Sequence, residues 1–339
     1  MPSSPPGATS ARRMRLFGLL VAACVVAAVV AIATGARGGG DATSTATKDA
    51  LVAARREKQP QLMFRNLDRD EPRTYGQVAV ASLGAGSART LLPLHCDRVD
   101  FAAGSGLCLV RAGGFAAGYR ARAFGADLRT RGEVKVDGIP SRARVSPDGR
   151  LGAVTMFVTG HSYADVGGFS TTTTLVDLRR GTKVADLEDF TVTRDGRRIT
   201  APDVNFWGVT FARDHDRFYA TLATGDRLFL VEGSIGARTM RTIHDGVECP
   251  SLSPDETRIA YKKRVGAGGK RWRLYVLDLA TMRETPGAET RSVDDQVAWL
   301  DDEHVLYALD EDVWTMPADG GGRPVRYARR ADSPAVVRW

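Results

Sequence analysis

Apolar and polar residues alternate in three short runs between Val247 and Thr281, VECPSLSPDETRIAYKKRVGAGGKRWRLYVLDLAT. Side chains two positions apart share one face of a strand, so each run reads as a strand with one buried face. Pro254-Asp255 falls between the first two runs. Proline presets φ for the first central position of a turn, and Asp tolerates the next. Residues 266–269 are glycine-rich and supply the second reversal. Trp272–Leu279 is aromatic, β-branched and alternating, the strongest strand signal in the chain. The stretch has no helical period. Three antiparallel strands in roughly 35 residues make a piece the size of a propeller blade.

Weaker copies recur, and each aligns on the apolar residue before its turn. Phe101 precedes AAGSG, Val145 precedes Ser146-Pro147-Asp148-Gly149, and Phe211 precedes ARDHD. Leu252 precedes Ser253-Pro254-Asp255, and Trp299 precedes LDDE. All but one of the spacings fall near the roughly 40–50 residues of one blade. The long interval, from Val145 to Phe211, holds an insertion at about residues 188–205. Outer strands recur at 76–81, 173–178, 227–231 and 312–316. Ser333–Trp339 resembles a first strand with nothing after it, whereas Leu62–Leu92 holds later strands and no first one. The C-terminal strand is therefore expected to complete the first blade, which removes open sheet edges. The predicted fold is all-β, a six-bladed β-propeller over residues 60–339.

The N-terminal pattern is different. Residues 1–15 begin Pro/Ser-rich, carry Arg12, Arg13 and Arg15, and read as a disordered cytoplasmic tail. Residues 16–36, LFGLLVAACVVAAVVAIATGA, hold no charge. As a helix they span about 31 Å at roughly 1.5 Å per residue, close to the roughly 30 Å hydrocarbon core. A transmembrane helix or signal anchor is predicted, with the arginines before it holding the N-terminus in the cytoplasm. Ala31-Ile32-Ala33 and Thr34-Gly35-Ala36 also fit signal cleavage, which would give a secreted protein. Val21-Ala22-Ala23-Cys24 has the form of a lipoprotein signal, but the residues after Cys24 stay apolar where a polar tether is normal. The run exceeds the roughly 7–15 residues of a signal core, which favours an uncleaved anchor. All three readings put the bulk of the chain outside the cytoplasm. Residues 37–59 read as a linker, Gly/Ser/Thr-rich as far as Thr47, with Lys48–Lys58 a short helix or an extended segment.

The Ser-Pro-Asp turns at 146–149 and 253–255, each followed by an apolar strand, and the LYVLDL strand resemble the repeats of the TolB-like six-bladed β-propellers. The similarity covers residues 62–339. The Phe211 repeat departs from it, with Arg213-Asp214-His215 set against Ser-Pro-Asp, and the Phe101 repeat has lost the motif. Together with the N-terminal anchor, the arrangement is similar to that of actinobacterial secreted or anchored TolB-like proteins. The resemblance implies a propeller that serves as a docking surface for other envelope proteins. It carries no functional residue across, because the turn is structural and a fold does not carry function with it.

Charge and chemistry add little beyond this. The 36 glycines suit many tight turns, and the net charge is +7 with pI near 9.4. The basic residues are dispersed, and a nucleic-acid interface needs them clustered with stacking aromatics, so none is expected. Cys96 and Cys108 flank the hairpin of the second blade. Facing within one residue they would form a disulfide in an oxidising compartment; several residues out of register they would stay thiols. Cys249 is left over. The most polar and aromatic loops carry His161, Tyr163 and Asp165, and Asp203, Asn205 and Trp207, which form the candidate binding patch. The five histidines form no HExxH pattern, and there is no GxSxG elbow. KKRVGAGGKR at 262–271 fails the Walker spacing and joins two strands, and Asn66–Asp70 lacks the calcium-loop glycine. No metal site and no cofactor are expected. The resulting expectation is a membrane-anchored extracytoplasmic scaffold, TolB-like and of translocation type, binding an envelope or extracellular protein and not an enzyme. The alternative is a polysaccharide lyase or hydrolase using His161, Asp165 and Asp203.

Overall fold

The computed structural model describes residues 41–113, 118–159, 168–266 and 271–339, with side chains from residue 49. The apolar segment 16–36 lies outside the described residues. Among the described residues no helix is long and apolar enough to cross a membrane.

Residues from Thr47 onward form one compact unit. A helix, α1 (Asp41–Arg56), occupies much of the segment whose composition suggests a linker. Its Leu51 and Ala54, three residues apart and so on one face, are buried. Leu51 joins a core cluster with Met63, Val78 and Phe101, which explains why this stretch is helical and not extended. Arg55 and Arg56 in the last turn suit the negative end of the helix dipole. Past the helix, Trp339 Nε1 donates to the Gln59 carbonyl at 2.8 Å, which ties the entry of the propeller to the C-terminus.

The described residues that follow form six mainly antiparallel sheets arranged as blades. Blade 1 contains β1 (Gln61–Asn66), β2 (Gln77–Ser82) and β3 (Arg89–His95). Blade 2 is β4 (Arg98–Ala102), β5 (Ser105–Arg111), β6 (Tyr119–Gly125) and β7 (Thr130–Val136). Blade 3 is β8 (Ile139–Val145), β9 (Leu151–Thr159), β10 (Ser170–Asp177) and β11 (Thr182–Asp186). The insertion follows as β12 (Thr191–Arg194) and β13 (Arg197–Arg198). Blade 4 is β14 (Asn205–Phe211), β15 (Arg217–Thr224), β16 (Arg227–Ser234) and β17 (Thr239–Asp245), and β12 pairs in parallel with β17. The insertion is thus a two-strand extension of blade 4's outer edge. Blade 5 is β18 (Glu248–Leu252), β19 (Arg258–Val265), β20 (Arg271–Asp278) and β21 (Glu284–Pro286). Blade 6 is β22 (Ala298–Trp299), β23 (His304–Leu309), β24 (Asp312–Pro317) and β25 (Val325–Ala328).

The last strand, β26 (Ala331–Val337), pairs antiparallel with β1 and becomes the first strand of blade 1, as its sequence predicts. Arg65 locks that join, donating to both carboxylate oxygens of Asp332 at 2.8 and 2.6 Å. All five apolar anchors lie at or near the ends of first strands: Phe101, Val145, Phe211, Leu252 and Trp299. First strands of neighbouring blades touch right round the ring. An apolar cluster fills every blade interface, for example Leu175 of blade 3 with Phe218 and Phe229 of blade 4. Another joins Leu62 and Ala79 of blade 1 to Leu306 and Val313 of blade 6, so closure buries apolar surface as well as pairing an edge.

Cys96 and Cys108 are joined by a disulfide, with Cα atoms 5.4 Å apart. The register is not the face-to-face one, because Val99 lies opposite Cys108. Cys96 sits before β4, where the chain swings in from blade 1 and its N–H reaches the Gly76 carbonyl. Leaving the strand plane there lets an out-of-register pair meet. Cys249 is a buried free thiol.

Candidate functional site

The first strands converge on the propeller axis, and their repeat offset decides what faces it. One residue before each of the five anchors stand Asp100, Arg144, Thr210, Ser251 and Ala298, and Val336 of β26 completes the ring, one residue from each blade. They line a single cavity of about 280 Å³. Its walls are Phe101, Phe211, Leu252 and Trp299, and its rim carries Pro147, Arg213, Pro254 and Arg338. The cavity therefore opens on the face that bears the first-hairpin turns.

Two of the polar ring members serve the neighbouring blade. Asp100 Oδ2 accepts from the Val145 N–H at 2.7 Å, and Thr210 Oγ1 accepts from the Leu252 N–H at 3.1 Å. Burial pushes the Asp100 carboxyl above the usual carboxylate range, against the Arg144 charge and the Val145 N–H. Arg144 reaches across the axis, its Nη2 donating to the Val297 carbonyl at 3.0 Å. Its Nε is buried and meets no acceptor among the described residues. The cavity lining thus includes the Arg144 guanidinium charge, beside largely aromatic walls.

Three residues before the anchors, the axis is pinched. Arg98 Nε donates to the Ser141 carbonyl at 2.7 Å, and Gln296 Nε2 donates to the carbonyls of Val209 and Pro250, each at 3.3 Å. About 20 Å³ remains there, enough for one water. Burial and the neighbouring Arg142 charge lower the Arg98 pKa.

Beyond the pinch lies a cavity of about 300 Å³ of another kind, in which Arg65, Arg98 and Arg142 face Asp294, Asp295 and Asp332. Lys262, fully buried, pairs with Asp294. Glu248, also fully buried, accepts from Arg264 Nε at 2.7 Å and Trp272 Nε1 at 2.9 Å. Charges at this end largely satisfy one another, as buried ions must. The turn-face mouth combines apolar walls with a charged lining and is the better binding site.

Its rim is stiffened by ties between blades. His215 Nδ1 of blade 4 meets Asp148 Oδ2 of blade 3 at 2.8 Å. Glu256 of blade 5 accepts from the Arg213 N–H at 2.6 Å and from Arg217 Nη2 at 3.2 Å. Asp302 of blade 6 accepts from the Asp255 N–H at 2.9 Å. Arg338 Nη2 donates to the Leu300 carbonyl at 2.5 Å, and the Arg338 carbonyl accepts from the Ala103 N–H at 3.2 Å.

The residues singled out from sequence sit elsewhere. Asp203 accepts from Thr224 Oγ1 at 2.8 Å and from the Gly225 N–H at 2.6 Å. The Gly225 bond, with the Thr224 hydroxyl, holds the exposed Asp203 carboxyl below its ordinary range. Asn205 accepts from the Thr171 N–H at 2.9 Å and donates to the Asp203 carbonyl at 3.0 Å, which pins blade 4 to blade 3. Trp207 is fully buried, edge-on to Phe169 with centroids 5.2 Å apart. These three lie at the end of β14 away from the mouth. His161, Tyr163 and Asp165 lie outside the described residues. The mouth residues Arg144, Arg213 and Arg338 look like ordinary turn and strand arginines in sequence. The signal that finds Arg144 is its fixed offset, one residue before an anchor, which no single repeat displays.

No protein-family model matches the chain, and no curated protein matches it in sequence. Solved structures do. TolB from Acinetobacter baumannii aligns with TM-score 0.53 at 16% identity, over 82% of this chain and 66% of that one. The chain thus spans just under two thirds of that protein's length. A chain assigned as TolB from Agrobacterium tumefaciens aligns with TM-score 0.46 at 13% identity, over 79% of this chain and 88% of that one. A puromycin-hydrolyzing peptidase of Mycobacterium tuberculosis aligns with TM-score 0.47 at 13% identity, over 75% and 42%. The shared feature is the fold, a six-bladed propeller of TolB type.

Proposed function

Taking the TolB-type propeller as premise, we propose that the chain is a membrane-anchored extracytoplasmic scaffold, of TolB-like translocation type, that binds an envelope or extracellular protein at the turn-face mouth of its axis. The observation that carries this reading is the mouth itself: about 280 Å³, largely aromatic walls, and the Arg144 guanidinium among its lining. A protruding side chain with an apolar body and an acceptor tip fits it, since the walls take the body and Arg144 takes the acceptor. Ties between blades hold the rim in advance, which lowers the ordering cost of binding. The Cys96–Cys108 disulfide supports an oxidising compartment, and the uncharged run 16–36 supports the anchor.

A photo-crosslinking side chain placed at Arg213, on the exposed rim, tests it in cells against the same group at Arg197 on the outer edge of blade 4. The expected result is a discrete protein adduct from position 213 and none from 197. No adduct, or the same adducts from both positions, overturns the reading.

A further inference from the structure

A second cavity, of about 450 Å³, opens on the turn face between blades 3 and 4. Its floor is apolar, with Leu151, Phe211 and Ala212. Its rim is basic and comes from separate elements: Arg150 from the Ser-Pro-Asp-Gly turn, Arg179 and Arg180 from the β10–β11 turn, and His215 with Arg217 from blade 4.

Two carboxylates reach the same space, and both are already engaged. Asp148 accepts from Ser146 Oγ at 2.6 Å and the Arg150 N–H at 3.0 Å, and meets His215 at 2.8 Å. Asp177 accepts from the N–H groups of Arg179 and Arg180 at 2.9 and 3.0 Å, and from Arg180 Nη1 at 3.0 Å. Burial pushes both carboxyls upward, but these bonds outweigh it and hold both below the usual range. Arg217 is balanced by Asp214 and Glu256 at 3.3 and 3.2 Å. Arg150 and Arg179 are the least engaged of the rim guanidiniums. Arg150 comes no nearer than 3.7 Å to Asp148, and Arg179 meets no carboxylate among the described residues.

We infer that this groove is a second binding site, one that takes a phosphoryl group. A planar carboxylate is saturated by a single guanidinium fork. Guanidinium groups arriving from two different turns, with an imidazole beside them, suit a tetrahedral group that offers three oxygens in different directions. The apolar floor lies under whatever chain carries the phosphoryl group. The inference stands on the groove alone and does not depend on what the axial mouth binds.

The test is fluorescence polarisation of labelled polyphosphate on the full chain in nonionic detergent. The pair Arg150→Ala with Arg179→Ala should weaken binding at least tenfold. The pair Arg197→Ala with Arg198→Ala, equally exposed on blade 4's edge, should change it less than twofold. Equal thermal midpoints for the two pairs confirm that the fold is intact. Equal losses from both pairs, or no loss from the first, overturn the site. Inorganic phosphate and a short-chain phosphatidylglycerol serve as competitors; whichever displaces the probe more strongly identifies a free or a headgroup source, and displacement by neither overturns the inference. Polyglutamate competing as well as phosphate also overturns it, in favour of an acidic peptide.

Discussion

In blade 3 the Ser146 N–H donates to the Leu151 carbonyl at 2.8 Å, and in blade 4 the Ala212 N–H donates to the Arg217 carbonyl at 2.9 Å. Asp148 Oδ1 caps the Arg150 N–H at 3.0 Å, and Asp214 Oδ1 caps the Asp216 N–H at 3.1 Å. The fourth residue is left-handed in both, Gly149 at φ 67° and His215 at φ 68°. Ala212-Arg213-Asp214-His215 therefore matches Ser146-Pro147-Asp148-Gly149. This is one residue earlier than the match of Arg213-Asp214-His215 to Ser-Pro-Asp read from sequence. The backbone is the same and the chemistry is not. Ser146 Oγ donates to Asp148 at 2.6 Å and accepts the Leu151 N–H at 2.9 Å, and Ser253 repeats this in blade 5 at 2.5 and 3.0 Å. Ala212 has no hydroxyl, so Asp214 takes the Arg217 N–H instead, at 2.8 Å. In both Ser-Pro-Asp turns the serine and aspartate bond inside the turn. Where the fourth residue is not glycine its side chain reaches a neighbouring blade: His215 meets Asp148, and Glu256 accepts from Arg213 and Arg217.

The largest expected effect is at the fourth position. A Cβ on Gly149 would stand 2.7 Å from the Ala102 carbonyl oxygen, at a φ that L-residues avoid. Left-handed strain of about 1–2 kcal/mol and crowding of about 1–3 kcal/mol should make Gly149→Ala lose about 2–5 kcal/mol. His215→Ala keeps the same φ with a smaller side chain and should lose under about 1 kcal/mol. Denaturant unfolding of the two variants measures the contrast, and equal losses would mean that packing against blade 2 is not what sets Gly149 apart.

Ser146→Ala comes next. It strands the Leu151 N–H and removes a bond to Asp148, a loss of about 1–2 kcal/mol. The reverse change, Ala212→Ser, should return less than half of that, because Asp214 already serves the Arg217 N–H. A gain from Ala212→Ser equal to the loss at Ser146 would contradict the substitution of one acceptor for another.

Asp148→Asn separates charge from geometry. The Asp148 carboxyl is held below its ordinary range: burial raises it, and the bonds from Ser146 and Arg150, with the His215 and Arg150 charges, lower it further. A depressed folded-state pKa contributes stability above the unfolded value, about 3.9, and loses it as the pH falls through the folded value. Asp148→Asn should therefore be about 1–2 kcal/mol less stable at pH 7, and the gap should begin to close below about pH 4. A gap constant from pH 7 to pH 3 would assign the effect to shape and not to charge.

The same contrast explains how much could be read in advance. Turns with proline, Asp and glycine, followed by alternating strands, announce themselves locally, so blade order, the presence of an insertion before blade 4 and closure by the C-terminal strand (read as 333–339, observed as 331–337) were legible, while the insertion's place on blade 4's outer edge was not. The α1 helix was legible only as one of two alternatives for residues 48–58, since Leu51 gains from burial against blades 1 and 2 and little in the local composition marks that. The axial mouth was not, because Arg144, Arg213 and Arg338 meet only once the ring closes. Asp203, Asn205 and Trp207 stood out as polar and aromatic, yet polar turn residues and buried tryptophans are also what a blade junction uses.

The smallest effect is the most specific. His215→Gly relieves left-handed strain, worth up to about 1 kcal/mol, and removes a partly exposed contact with Asp148, worth about 0–1 kcal/mol. The single change should therefore lie within about 0.5 kcal/mol of neutral, and its sign alone says little. A double-mutant cycle with Asp148→Asn isolates the pair. A coupling of about 0.2–1 kcal/mol is expected from the His215–Asp148 contact across the blade 3–blade 4 junction. A coupling of zero would mean that His215 occupies a strained position without support from its neighbour, and blade 4's turn would then be a weakened copy of blade 3's instead of a junction between them.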